Sequence, residues 1–223
     1  MTFMTKRLTL VLLTISSITF AQTENQTDSL ISVMCKSLQN NKQLTDSARL
    51  LLVYGKHLFP FVDQYDKVSR EKITEMIFYR FQRGCGDFSD LLTRLNPPDD
   101  YWDYWEKIEA KPKTTLIKSS CKDFVRHKFI YPDSKGDTVN MVIEKGYWID
   151  NYRDGTYSKL KFSWIDDCEF EIEFIESTNS VQTQFSKKGD KYRYLVIDKK
   201  EKYYLVSVES VGTDGYHLTY LFF

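Results

Sequence analysis

Up to about residue 109 the apolar residues recur at spacings of three and four; from about Thr114 onward they recur at every second position. This switch of period constrains the fold more than any other feature. A 3.6-residue period puts one apolar stripe on a helix, and a period of two puts one apolar face on a strand. In the second half Cys168, Phe170, Ile172 and Phe174 alternate with Glu169, Glu171 and Glu173. Just upstream, Leu160, Phe162 and Trp164 alternate with Lys159, Lys161 and Ser163. These read as adjacent half-buried strands. Pairing apolar with apolar needs an odd loop, which predicts Trp164 opposite Cys168, Phe162 opposite Phe170 and Leu160 opposite Ile172. The same register sets Lys161 against Glu171 and Lys159 against Glu173, where opposite charges support it.

Further strands are expected over Val125–Tyr131, Val139–Ile143, Tyr147–Tyr152, Tyr192–Ile197, Tyr203–Val208 and His217–Phe223. Turn signals such as Lys145-Gly146, Asp154-Gly155 and Asp214-Gly215 separate them, and the longest polar gap is Ser177 to Asp190. About eight short strands joined at hairpin length imply an antiparallel β-meander, rolled into a small barrel or a strongly curved sheet.

The first half reads as a small helical bundle. Leu30, Val33, Met34 and Leu38 form one stripe. Thr45 caps a second helix that ends near Pro60, and Ser69 caps a third carrying Ile73, Met76, Ile77 and Phe81. That helix stops at Gly84-Cys85-Gly86, and Asp87 or Ser89 starts a fourth with Phe88, Leu91, Leu92 and Leu95. The fold class is therefore α+β. The expected organisation is a signal peptide over 1–21, a helical domain over 22–111 and an antiparallel β domain over 112–223.

The leader rests on Lys6 and Arg7, the apolar run Leu8 to Phe20, and small residues up to Ala21. The run is too short for a comfortable membrane span. The whole chain balances 31 Lys and Arg against 31 Asp and Glu, so loss of Lys6 and Arg7 leaves a net charge of −2. Such a balance excludes affinity for nucleic acid driven by a broad cationic surface. Export gives Cys35, Cys85, Cys121 and Cys168 an oxidising compartment, where an even count favours disulfides. Four cysteines allow three pairings, and Cys35–Cys85 with Cys121–Cys168 keeps each bridge within one half. Without a C-x-x-C, a zinc ribbon lacks its spacing.

Little else carries chemistry. His57, His127 and His217 belong to no metal or triad motif. The row Glu169, Glu171, Glu173 could be read as an acid/base set, yet Lys159 and Lys161 opposite make it a charge ladder. Asp150 to Gly155 mimics a calcium loop, but Tyr152 stands where an oxygen ligand is needed and Lys161 where the bidentate Glu belongs, so it is a turn. Asp99 to Glu109 holds five acids and one lysine with Tyr101, Trp102, Tyr104 and Trp105. It reads as a short helix that docks one domain on the other. Its functional alternative is a partner-gripping patch centred on Tyr101, Trp102 and Trp105. The aromatics Trp148, Trp164, Phe170, Tyr192 and Tyr194 read as core. Ending on Tyr220-Leu221-Phe222-Phe223 suits an outer-membrane barrel, but most runs are too short for one.

Three elements of the C-terminal half, Cys121-Lys122-Asp123-Phe124, the Lys161, Trp164, Cys168 spacing and Gly189-Asp190-Lys191-Tyr192, resemble those of uncharacterised secreted bacterial proteins. Those proteins have a helical N-terminal half and a β-rich, loosely lipocalin-like C-terminal half. The likeness covers mainly residues 117 to 208. Asp123-Phe124-Val125-Arg126 stands where lipocalins carry G-x-W, so no ligand-binding residues follow from it. The expected function is a non-enzymatic, exported binding protein, periplasmic or extracellular, without cofactor, metal or catalytic residues. Its partner is another envelope or secreted protein or a small apolar ligand, with no nucleic acid and no transmembrane segment after cleavage. A carboxylate hydrolase and a structural envelope component are the alternatives.

Overall fold

In the computed structural model, which describes residues 25–96, 106–133, 136–210 and 215–223, the architecture is α+β. The chain divides into two units, residues 1–81 and 82–223.

The first unit begins with α1 over residues 25–39, in which Ile31, Met34 and Leu38 are buried while Val33 is 45% exposed. The buried stripe is thus rotated by one residue from the expected one. In α2 (Asp46–Val53) the Thr45 hydroxyl accepts from Ala48 N–H, as its position predicts. Arg49 is buried because its guanidinium donates to the Leu38 carbonyl at 3.0 and 3.3 Å and pairs with Asp46. It satisfies an orphan carbonyl near the end of α1. The helical run ends near Pro60, as expected, though Pro60 itself lies within it. Lacking an N–H, Pro60 is met by a π turn over Tyr54–Leu58, with Phe59 N–H reaching back to the Tyr54 carbonyl, and α3 (Phe59–Val62) continues. The next helix, α4 (Lys67–Gly84), starts two residues before the expected cap. Asp66, not Ser69, receives the Val68 and Ser69 N–H groups at 3.0 and 3.1 Å. Ile77 and Phe81 are its buried apolar residues.

The last turn of α4 belongs to the second unit, together with α5 (Gly86–Leu95), where Phe88 and Leu91 are buried. Residues 97–105 lie outside the described ones, and β1 (Glu106–Ile108) follows. The described end of the acidic aromatic stretch is therefore strand, not helix. Next come α6 (Lys118–Asp123) and a 3-10 turn over Phe124–Arg126. Eight strands then form a meander: β2 (Lys128–Pro132), β3 (Thr138–Glu144), β4 (Tyr147–Asn151), β5 (Tyr157–Trp164), β6 (Glu169–Ser177), β7 (Lys191–Lys199), β8 (Tyr203–Ser210) and β9 (Tyr216–Phe222). A short helix, α7 (Ser180–Phe185), fills the polar gap between β6 and β7. Each strand pairs antiparallel with the next, and β9 returns to β2 through Ile130 opposite Phe222, which closes the barrel. The extra strand β1 pairs with the start of β9.

The strand expected from Val125 begins only at Lys128, because Cys121 and Phe124 are drawn inward on helical turns. The β3–β4 hairpin turns on Lys145-Gly146, both with positive φ, the backbone a two-residue hairpin loop needs. In the β5–β6 hairpin the expected faces are right but the register is displaced by two. Trp164 faces Phe170, Phe162 faces Ile172 and Leu160 faces Phe174. The odd parity holds. In this register Cys168 stands just before β6 and bonds to Cys121 instead of pairing with Trp164. Bulges at Lys159/Leu160 and Val196/Asp198 bend the sheet on itself.

Candidate functional site

One face of every barrel strand points inward, so the register decides what the interior holds. Phe129, Met141, Trp148, Leu160, Phe162, Phe170, Ile172, Phe174, Tyr192, Val196, Tyr204, Val206 and Leu221 form one buried cluster. Phe170 lies at its centre. It stacks parallel to Tyr194 at 5.0 Å and sits 4.8 Å from Phe162, 5.6 Å from Trp164 and 6.0 Å from Trp148. These are contact distances between ring centroids, so the middle of the barrel is occupied by its own side chains.

At one end the 3-10 turn acts as a stopper. Phe124 is fully buried, 4.6 Å from Phe129, 5.2 Å from Tyr204 and 5.3 Å from Phe170. Three links hold it. The Cys121–Cys168 disulfide ties α6 to the start of β6. The Lys122 ammonium lies 3.7 Å from the centre of the Trp164 ring. The Asp123 carboxylate accepts from Lys199 Nζ at 2.7 Å and lies 3.1 Å from His127 Nε2. Lys199, then His127, hold the Asp123 carboxyl at about 2.

The opposite end is lined differently. Asp150 is inward-facing and only 6% exposed. Its Oδ1 accepts from the Trp148 indole N–H at 2.8 Å, and the Tyr131 hydroxyl hydrogen-bonds the same carboxyl. Burial pushes this carboxyl up to about 7, against the pull of those two bonds. Burial also raises the Tyr152 and Tyr194 phenols. A hydroxyl chain runs beside them. Tyr152 Oη and Ser158 Oγ are 3.1 Å apart, Ser158 and Ser177 Oγ are 2.9 Å apart, and Ser177 donates to the Tyr157 carbonyl. Arg83 bonds Asp190 and reaches the Tyr192 hydroxyl at 3.4 Å, which in turn meets Ser186 Oγ. A surface cleft of about 70 Å³ opens beyond Tyr152, lined by Asp133, Asp137, Arg153, Asp154 and Gln182 among others.

Among the residues singled out from sequence, Cys121 and Cys168 are bridged as expected, and Cys35 and Cys85 are disulfide-bonded as well. Tyr101, Trp102 and Trp105 lie outside the described residues. The glutamate row is a charge ladder, but its cations differ from those expected. Glu171 pairs with Lys191 at 2.8 Å and Arg193 at 3.5 Å, and Glu169 with Lys111 at 2.7 Å. Lys159 instead lies over the Tyr147 ring, and Lys161 faces Glu173. Of the two histidines expected in strands, His217 is in β9, while His127 sits just before β2. No group of three or more His, Cys, Asp or Glu among the described residues is arranged to hold a metal ion. No helix among them is long and apolar enough to cross a membrane.

Sequence reasoning missed Asp150 and Phe124. Asp150 was legible, since Trp148, Asp150 and Tyr152 alternate with Tyr147, Ile149 and Asn151, which puts an acid in the inward row. Phe124 was hidden because its neighbours also suit a strand. No family model, curated protein or solved structure matches the chain.

Proposed function

We propose that the protein is an exported, non-enzymatic binding protein that engages another envelope or secreted protein through its outer surface. The observation that carries this reading is the filled interior. Phe124, Phe162, Phe170 and Tyr194 occupy the space where a ligand-holding barrel keeps its cavity. Disulfide-bonded cysteines and the Lys6-Arg7 leader with its apolar run support export. The likeness to secreted bacterial proteins with a helical and a β half points the same way.

Native mass spectrometry of protein recovered from the exported fraction, with crosslinking before extraction, tests the reading. The expected species starts at Gln22, carries no free thiol and no small molecule, and crosslinks to a discrete protein. A stoichiometric apolar ligand, or a chain still starting at Met1, would overturn it. One observation favours the hydrolase alternative: burial raises the Asp150 pKa, as a general acid requires. Its burial among aromatic rings keeps a substrate from reaching it, which leaves the binding reading ahead.

A further inference from the structure

Asp150 is a carboxyl group without a cation. Its partners are an indole N–H and a phenol, and it forms no ion pair with any described residue. The groups around it are also uncharged. Tyr131 faces it from β2, Met141 stands opposite on β3, Ser158 opposite on β5, Tyr194 approaches from β7 and Tyr152 from the turn after β4. Two further acids, Asp133 and Asp154, act on the Tyr152 phenol, and the exposed Arg153 pairs with Asp137. A carboxylate ion held this way costs far more in lost hydration than two hydrogen bonds return. The Tyr131–Asp150–Trp148 bridge spans β3 from the inside, so the cost falls on the packing of β2, β3 and β4 at one end of the barrel.

We propose that Asp150 is a proton-operated lock on the polar end of the barrel. With its proton on, the bridge is neutral, dry and closed. Once ionised, the carboxylate draws water between β2 and β4, and that end loosens while the stoppered end stays shut. A pKa raised to about 7 puts the change in the neutral range. Its sign is fixed. The folded value lies above the unfolded one, so the stabilisation is complete below about pH 4 and is lost as pH rises toward about 7.

The test compares the full chain with Asp150→Asn, whose amide keeps the shape and never ionises. Thermal midpoints are measured from pH 4 to pH 9, with amide hydrogen exchange at pH 5 and pH 8 corrected for intrinsic rates. The midpoint difference between the two proteins should change by about 5 °C or more across this window. Exchange over 129–133 and 147–158 in the wild type should speed up by about tenfold at pH 8, with none of that change over 118–126. Identical pH profiles for the two proteins would overturn the proposal, as would equal loosening of both ends. Should Asp150→Asn not fold, Tyr131→Phe retains the carboxyl and removes a bond that favours its ionised form. Its transition should then move to higher pH, and an unmoved transition counts against the lock.

Discussion

The two ends of the barrel solve one problem in opposite ways. Each carries a carboxyl near aromatic rings, half-exposed in Asp123 and buried in Asp150. At the stoppered end Asp123 meets Lys199 and His127 and is held at about 2. At the polar end Asp150 meets only an indole and a phenol and is pushed up to about 7. The residue type is the same, though Asp123 ends helix α6 and Asp150 belongs to strand β4. What differs is a cation in one place and burial without one in the other. One end is therefore built to withstand changes of pH and the other to register them.

This contrast can be broken or sharpened by substitution. The largest effect is expected at the stopper. Phe124→Ala removes a fully buried ring and should cost about 3–5 kcal/mol in a guanidinium titration. A loss under about 1 kcal/mol would mean that the stopper is not what closes this end. Next comes Cys121→Ala with Cys168→Ala, which frees α6 from β6 across a separation of 47 residues. A loss of about 2–4 kcal/mol is expected in the same titration. At the polar end Tyr152→Phe deletes one hydroxyl of the Tyr152–Ser158–Ser177 chain and should cost about 1 kcal/mol. A cost equal to that of Phe124→Ala would erase the difference between the ends.

The smallest effect is expected of Asp123→Asn, because the carboxylate is 35% exposed and well screened. Its folded value is depressed, so its contribution is present above about pH 4 and fades as pH falls toward about 2. The acid limb of the stability curve, followed by circular dichroism, should be shallower in this variant. An unchanged limb would show that Asp123 does not hold the stopper.

The face of each strand was legible because alternation depends only on burial, as in Leu160, Phe162 and Trp164. Pair-by-pair register was not legible. Shifting β6 by two residues preserves both faces and keeps lysines near glutamates, so neither pattern distinguishes the two solutions. In the structure Cys168 lies just before β6, bonded to Cys121, and does not pair with Trp164. The cap of α4 was misplaced for a similar reason, since Asp66 and Ser69 both suit the position and only the three-dimensional path selects one. As for the site, the alternation around Trp148 already placed an acid inside. What it could not supply was the absence of a basic neighbour, which depends on strands far away in sequence.

The seam between β2 and β9 has a kinetic consequence. Seven of the eight strands add to a neighbour that immediately precedes them, which is local and fast to form. The closing pair, Ile130 with Phe222, joins residues from the two extremes of the meander and meets in one position only. Until β9 has been delivered, the barrel is an open sheet with two bare edges, available to any other unfinished chain. Ring closure is therefore the slow and aggregation-exposed step.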